Sequence, residues 1–281
     1  MKNLFGGSMQ VEDHVQNTYK SLRLGLAVLA IALPVLLYGI GKGLYGLELQ
    51  RSMSAYFFAA TARQCSLFPL RTVFVGVLCA ISVGLYLYKG FSWQENLALN
   101  AAGIFGTCVA LFPERLDPDD ARLVGLFRAC PDLVAVAAAQ QGAMPVHFLA
   151  AGAMFACLAY VAIFRAKDTL QYLPLEKTDD ARERRKRRYA RTYRALGGLM
   201  VAFPLVGLVL SWVMGQRYAA VFFVEAAGIW TFGAYWIVKS KEMARSTKGE
   251  RQVAEKMTAD KGLADAHATP SASPVFGHET S

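Results

Sequence analysis

Six apolar stretches alternate with polar segments along the chain: Leu24–Gly41, Thr72–Tyr88, Asn96–Pro113, Pro145–Phe164, Ala195–Met214 and Ala219–Val238. A hydrocarbon core of roughly 30 Å needs about twenty helical residues, so each stretch is long enough to cross a bilayer. A charge at the centre of a spanning helix costs about 2.5–3.5 kcal/mol, and Glu225 is the one ionised residue inside these runs. The pattern predicts an all-α integral membrane bundle of six transmembrane helices. Its parts are an N-terminal segment 1–23, a membrane domain 24–239 with a basic loop 165–194, and a tail 240–281 that loses hydrophobic periodicity and reads as disordered.

Charge supplies the orientation. The chain holds 30 Lys and Arg, of which 22 fall in the N-terminal segment, the second and fourth inter-span loops and the tail, and 8 in the other three loops. The positive-inside rule therefore predicts both termini in the cytoplasm and two longer periplasmic loops, 42–71 and 114–144, for a multi-pass protein of a bacterial inner membrane. The net charge of +9 is accounted for by this insertion signal and gives no reason to expect a nucleic-acid partner. The densest basic run is Arg182, Arg184, Arg185, Lys186, Arg187 and Arg188, which is expected to lie on anionic lipid headgroups at the cytoplasmic face. The Ala30-Ile31-Ala32 triplet resembles a cleavage site, but the apolar run continues through Tyr38, as in an uncleaved first span.

Within the third stretch, Ala98, Ala102, Gly106 and Ala110 form a small-residue stripe for close helix approach. Asn96 and Asn100 lie beside it and are expected to hydrogen-bond across helices. A GxxxG pattern, Gly39 to Gly43, is expected to pack similarly. In the first outer loop, Ser52 to Phe58 reads as an interfacial segment. In the second, Glu114, Asp117, Asp119 and Asp120 read as a solvated acidic turn without the glycine and spacing of an EF-hand, and Leu133–Gly142 as an interfacial or re-entrant helix.

Candidate chemistry is sparse. His147 is the one histidine of the membrane domain, too few for a zinc centre or a bis-histidine haem, so no metal and no cofactor are expected. There is no CxxC, P-loop or GxSxG motif, and the serines around Ser54 have no evident base-and-orienter set. Cys79, Cys108 and Cys157 lie inside spans. Cys65 and Cys130 lie in the two outer loops and form either a disulfide or two unpaired thiols.

Several strings carry a family resemblance: Ser52-x-Ser54-Ala55-Tyr56, Phe74-Val75-Gly76-Val77, Tyr86-Leu87-Tyr88-Lys89-Gly90, Asn96-x-Ala98-x-Asn100-x-Ala102-Gly103, Val109-Ala110-Leu111-Phe112-Pro113 and His147. Together they resemble a group of uncharacterised bacterial multi-spanning inner-membrane proteins. The FP turn followed by a span-opening histidine is also similar to the six-helix DRAM/Frag-type membrane proteins. The group has an Arg-Asp pair before FVG, where this chain has Arg71-Thr72. The resemblance implies fold and compartment, and no reaction.

The functional expectation is a non-enzymatic, lipid-associated scaffold, sensor or partner subunit, whose partners are the bilayer, anionic lipids and another membrane protein. The alternatives are a small proton-coupled transporter using Glu225 and His147, or a membrane enzyme acting on a lipid headgroup at the periplasmic face. Depth arguments place Arg71, His147 and Glu225 in one polar cluster, because an intramembrane carboxylate needs a partner. Ser52, Ser54, Tyr56 and Glu114 extend it.

Overall fold

The computed structural model describes residues 2–59, 68–114, 145–173, 179–213 and 220–268, together with Asp132, Ala135 and Ala139; side chains are described within 13–246, apart from those of 211 and 212. Six helices of fifteen residues or more are described: α1 (Lys2–Tyr45), α2 (Pro69–Leu87), α3 (Trp93–Leu111), α4 (Val146–Tyr160), α5 (Asp179–Val213) and α6 (Ala220–Ala268). A 3-10 turn, Ser54–Phe57, precedes α2. A π-helical turn, Val161–Arg165, and a 3-10 stretch, Ala166–Tyr172, continue α4. No strand occurs among the described residues.

Local signals explain the boundaries. Gly46 sits at φ 64°, in the left-handed region where an L side chain is strained. It closes α1 with the 5→1 bond of an αL cap. Its N–H donates to Lys42 O (3.2 Å), and Leu47 N–H donates to Gly41 O (2.9 Å). Pro69 opens α2 at a position that needs no N–H. Ser92 caps α3 by accepting from Glu95 N–H (3.2 Å), while the Glu95 carboxylate reaches back to Phe91 N–H (2.8 Å). The first bond satisfies an N–H that the helix itself leaves open, and the second ties the residue before the cap to the first turn.

The helices pack in a ring. Each contacts its neighbour in sequence order, from α1 on α2 through α5 on α6, and α6 returns onto α1. The inner faces follow helical periodicity. Leu26, Ala30, Leu33 and Leu37 on α1, and Leu70, Phe74, Leu78, Ile81 and Leu85 on α2, are all buried. The opposite faces, including Val28, Val35, Val83, Ile104, Leu149 and Leu208, are exposed, an apolar outer surface that water would not support. Five helices are long and apolar enough to span a membrane, within 13–45, 69–87, 146–172, 179–210 and 220–246. This is a membrane protein. α3 is not one of the five, since Gln94, Glu95, Asn96 and Asn100 lower its apolar content.

The small-residue stripe on α3 meets α2. A Cβ on Gly103 would lie 2.6 Å from Ser82 O, and one on Gly106 would overlap the Ser82 hydroxyl. Gly39 and Gly43 face open space instead of a helix, and Gly41 between them is the residue in contact, against Leu70 and Tyr56. Sequence spacing marks a small-residue face without saying which side of the helix the neighbour takes.

α6 continues as helix past Ser240 to Ala268, through residues expected to be a disordered tail, while 269–281 lie outside the described residues. The stretch loses hydrophobic periodicity but is rich in Lys, Glu, Arg, Gln, Met and Ala, whose intrinsic preference is helical.

Candidate functional site

At one end of the ring, the segment from Arg51 to Phe58 folds inward. Arg51, Ser52, Met53, Ser54, Tyr56 and Phe58 are buried, so the segment is part of the bundle. Polar groups on four sides hold it. Glu114, just beyond α3, accepts from Arg51 Nη2 (2.9 Å) and from Ser52 Oγ (2.7 Å). Glu225 on α6 accepts from Met53 N–H at 2.6 Å, and Arg51 O accepts from Phe222 N–H at 2.9 Å. Tyr56 packs against the Phe222 ring, with centroids 6.0 Å apart.

Ser54 Oγ lies 2.7 Å from His147 Nε2, and His147 Nδ1 lies 2.8 Å from Phe112 O. A carbonyl only accepts, so Nδ1 carries a hydrogen; in the neutral ring Nε2 then accepts from the Ser54 hydroxyl. Ser54 therefore does have a base, and the base is oriented by a backbone carbonyl. The sequence hid this because the orienting group is main chain, 35 residues from the histidine.

Arg71, His147 and Glu225 converge on the same segment, and no hydrogen bond joins any two of them in the structure. Arg71 Nε donates to Phe57 O (3.2 Å), and its guanidinium lies 4.4 Å from the Phe57 ring centroid and 4.2 Å from that of Phe68. Depth along a span fixes height but not azimuth, and a folded loop offers backbone partners that a depth argument omits. The acidic turn residues Asp117, Asp119 and Asp120, and both Cys65 and Cys130, lie outside the described residues, as does most of Leu133–Gly142. Cys79, Cys108 and Cys157 are free thiols. No group of three or more His, Cys, Asp or Glu residues suited to a metal ion occurs among the described residues.

The other end of the ring carries a buried charge network that sequence patterning did not reveal. Lys239 and Glu242, on one face of α6, pair at 3.0 Å with side chains 2% and 0% exposed. Glu242 also accepts from Thr169 Oγ1 and Tyr193 OH, each at 2.8 Å. Lys239 Nζ completes its three donors on Thr169 Oγ1 (2.5 Å) and Ala166 O (3.1 Å). The i,i+3 spacing of Lys239 and Glu242 was visible, but a lysine at the end of a span reads as snorkelling.

A cavity of about 370 Å³ adjoins this network, between α1, the α2–α3 turn and α6. A second, of about 640 Å³, lies between α5 and α6 and is lined by Arg184, Arg185, Arg188, Lys241 and Arg245 with Tyr189 and Thr192. The basic run thus joins α6 residues in a groove. Within it, Arg184 pairs with Asp180 and Arg245 Nη1 donates to Tyr189 OH (3.2 Å). Outside it, Arg187 pairs with Glu183, and Arg182 donates to Leu173 O and Gln171 O. Asn96 and Asn100 do not make the expected cross-helix bonds through their side-chain oxygens, which are buried without a partner.

The chain matches no protein family, no curated protein and no solved structure.

Proposed function

We propose that the chain is a non-enzymatic, lipid-associated membrane protein, a scaffold, sensor or partner subunit, that holds anionic headgroups at its basic end. The observation that carries this reading is the groove between α5 and α6, where five cationic side chains from two packed helices surround about 640 Å³. A flexible basic loop adsorbs to any anionic surface. Cations fixed on two helices around a concavity favour a headgroup of defined size. Each lysine or arginine near an anionic leaflet contributes about 1 kcal/mol. In maltoside micelles doped with phosphatidylglycerol or phosphatidylcholine, the anionic lipid should raise the melting temperature more. Arg188→Glu with Lys241→Glu should shrink that difference. Equal stabilisation by both lipids in the unaltered protein would count against the reading.

The same proposal places the protein in a bacterial inner membrane, with six spans and both termini cytoplasmic. α3 supports the sixth span. Its 19 residues, at a rise of about 1.5 Å each, reach about 28 Å, close to the hydrocarbon thickness. The helix also lies between α2 and α4, which cover much of its polar character. Reporters fused after Arg188 and at Ser281 should be active in the cytoplasm. Periplasmic activity at either point contradicts the orientation.

The Ser54–His147 geometry favours a second reading, a membrane enzyme acting on an ester-linked lipid. Ser54 Oγ would bond to the acyl carbonyl carbon, its proton passing to His147 Nε2 and then to the departing alkoxide. A fluorophosphonate probe should label Ser54, and His147→Ala should suppress the labelling. An unlabelled wild-type protein removes this reading. The carrier reading has less support, because Glu225 and His147 contact different residues of the 51–58 segment.

A further inference from the structure

Arg23 is a buried cation whose guanidinium is only partly satisfied among the described residues. It sits on α1 with 6% of its surface exposed, and its Nε is buried without a hydrogen-bond partner. Its one hydrogen bond is from Nη1 to Tyr88 OH, at a long 3.4 Å. No carboxylate pairs with it among the described residues. A guanidinium stays protonated at any pH a cell reaches, so its burial is not relieved by losing the charge. Buried arginines are normally paired with carboxylate or phosphate, which their planar fork fits in two parallel hydrogen bonds.

Arg23 lines the cavity of about 370 Å³, within the range of small-molecule and headgroup sites. Lys20 and Lys89 also line it, both exposed and without a partner among the described residues, and Tyr19, Tyr88 and Phe91 supply aromatic surface. Two acids share the walls, Asp13 and Glu95, and Glu95 spends one oxygen on Phe91 N–H. Lys239 is the fourth cation, with its three donors already used. The lining therefore holds four cations against two carboxylates, and Glu242 behind Lys239 reduces the excess to one positive charge.

We propose that this cavity binds a phosphate group through Arg23, with Lys20 and Lys89 at its mouth and the organic part of the ligand against Tyr19, Tyr88 and Phe91. A phosphodiester carries the single negative charge the site lacks, and its oxygens fit the unspent guanidinium donors. The site is separate from the α5–α6 groove and shares none of its lining residues. A phospholipid headgroup and a soluble phosphate ester offer the same chemistry, and the source is a matter for experiment. A cavity that merely holds water would show no ligand-dependent stabilisation.

The test uses the full chain in dodecyl maltoside without phosphate buffer. One arm adds glycerophosphoglycerol, a soluble phosphodiester, the other dopes the micelle with phosphatidylglycerol. Binding at a hundredfold excess over Kd should raise the melting temperature by about 5 °C or more. Arg23→Gln should remove that increment, and Arg188→Glu with Lys241→Glu should leave the Arg23-dependent part in place. Should Arg23→Gln fold poorly, Lys89→Glu at the exposed mouth is expected to weaken the response at least tenfold in midpoint concentration. A response in the first arm identifies a soluble ester, and one in the second alone identifies a lipid. Stabilisation that neither Arg23→Gln nor Lys89→Glu diminishes, or none in either arm, overturns the proposal.

Discussion

Replacing Glu242 by alanine should be among the most damaging single changes in the bundle. The carboxylate is fully buried and takes three donors, from Lys239, Thr169 and Tyr193. Its removal leaves the Lys239 ammonium, 2% exposed, with only Thr169 Oγ1 and Ala166 O, and leaves the Tyr193 hydroxyl without an acceptor. Breaking a buried pair from one side costs about 3–5 kcal/mol, because the surviving charge stays desolvated. At about 2–4 °C per kcal/mol for a domain of this size, the melting temperature should fall by about 6–20 °C. Tyr193→Phe removes one hydrogen bond to a charged acceptor and should cost about 1.5–3 kcal/mol. The double change Lys239→Met with Glu242→Leu should recover at least half of the Glu242→Ala loss, since apolar side chains can fill the site without a stranded charge. Tryptophan fluorescence in detergent is a suitable readout, because Trp236 stacks edge-on against Tyr235 at 5.3 Å, within one helical turn of Lys239. A Glu242→Ala loss below about 1 kcal/mol, or a double variant as unstable as the sum of its singles, refutes the argument.

Three further outcomes follow from named contacts. Gly103→Ala places a methyl 2.6 Å from a backbone oxygen of α2. It should cost about 1–3 kcal/mol, whereas Gly76→Ala, with open space at its Cβ, should be neutral or slightly stabilising in thermal scans. The Arg71 stack on Phe57 and Phe68 uses the flat guanidinium. Arg71→Lys should therefore lose most of what Arg71→Ala loses, about 1 to about 2 kcal/mol, and a lysine variant as stable as wild type would contradict this. Glu225→Gln keeps an acceptor for Met53 N–H and should cost clearly less than Glu225→Ala in detergent stability, while equal losses would assign the role to the charge itself.

The helical class was legible because lipid demands long apolar runs whose backbone bonds are met internally. The small-residue spacing was legible too: Ala102 and Gly106 form a readable contact stripe. The site was not legible as an arrangement. Arg71, His147 and Glu225 could be set at one depth, with Ser54 beside them, but their other partners are main-chain atoms of Phe57, Phe112 and Met53, which no side-chain inventory picks out. Nothing in the sequence around Arg23 or Glu95 marks them as buried, because burial depends on α1, α3 and α6 meeting and not on either residue's surroundings in sequence.

Closure of the ring between its first and last helices sets the order of assembly. Trp230 Nε1 donates to Ile31 O across 199 residues, and a Cβ on Gly233 would lie 3.3 Å from Ala27 O. During synthesis at about 5–20 residues per second, α1 waits roughly 10–40 s before α6 leaves the ribosome. Over that interval its Ala27 and Ala30 face lies against lipid or against whatever factor escorts the nascent chain. A ribosome stall before residue 220 would leave five helices in an open arc with an unsealed seam, a substrate for membrane quality control instead of a smaller working protein.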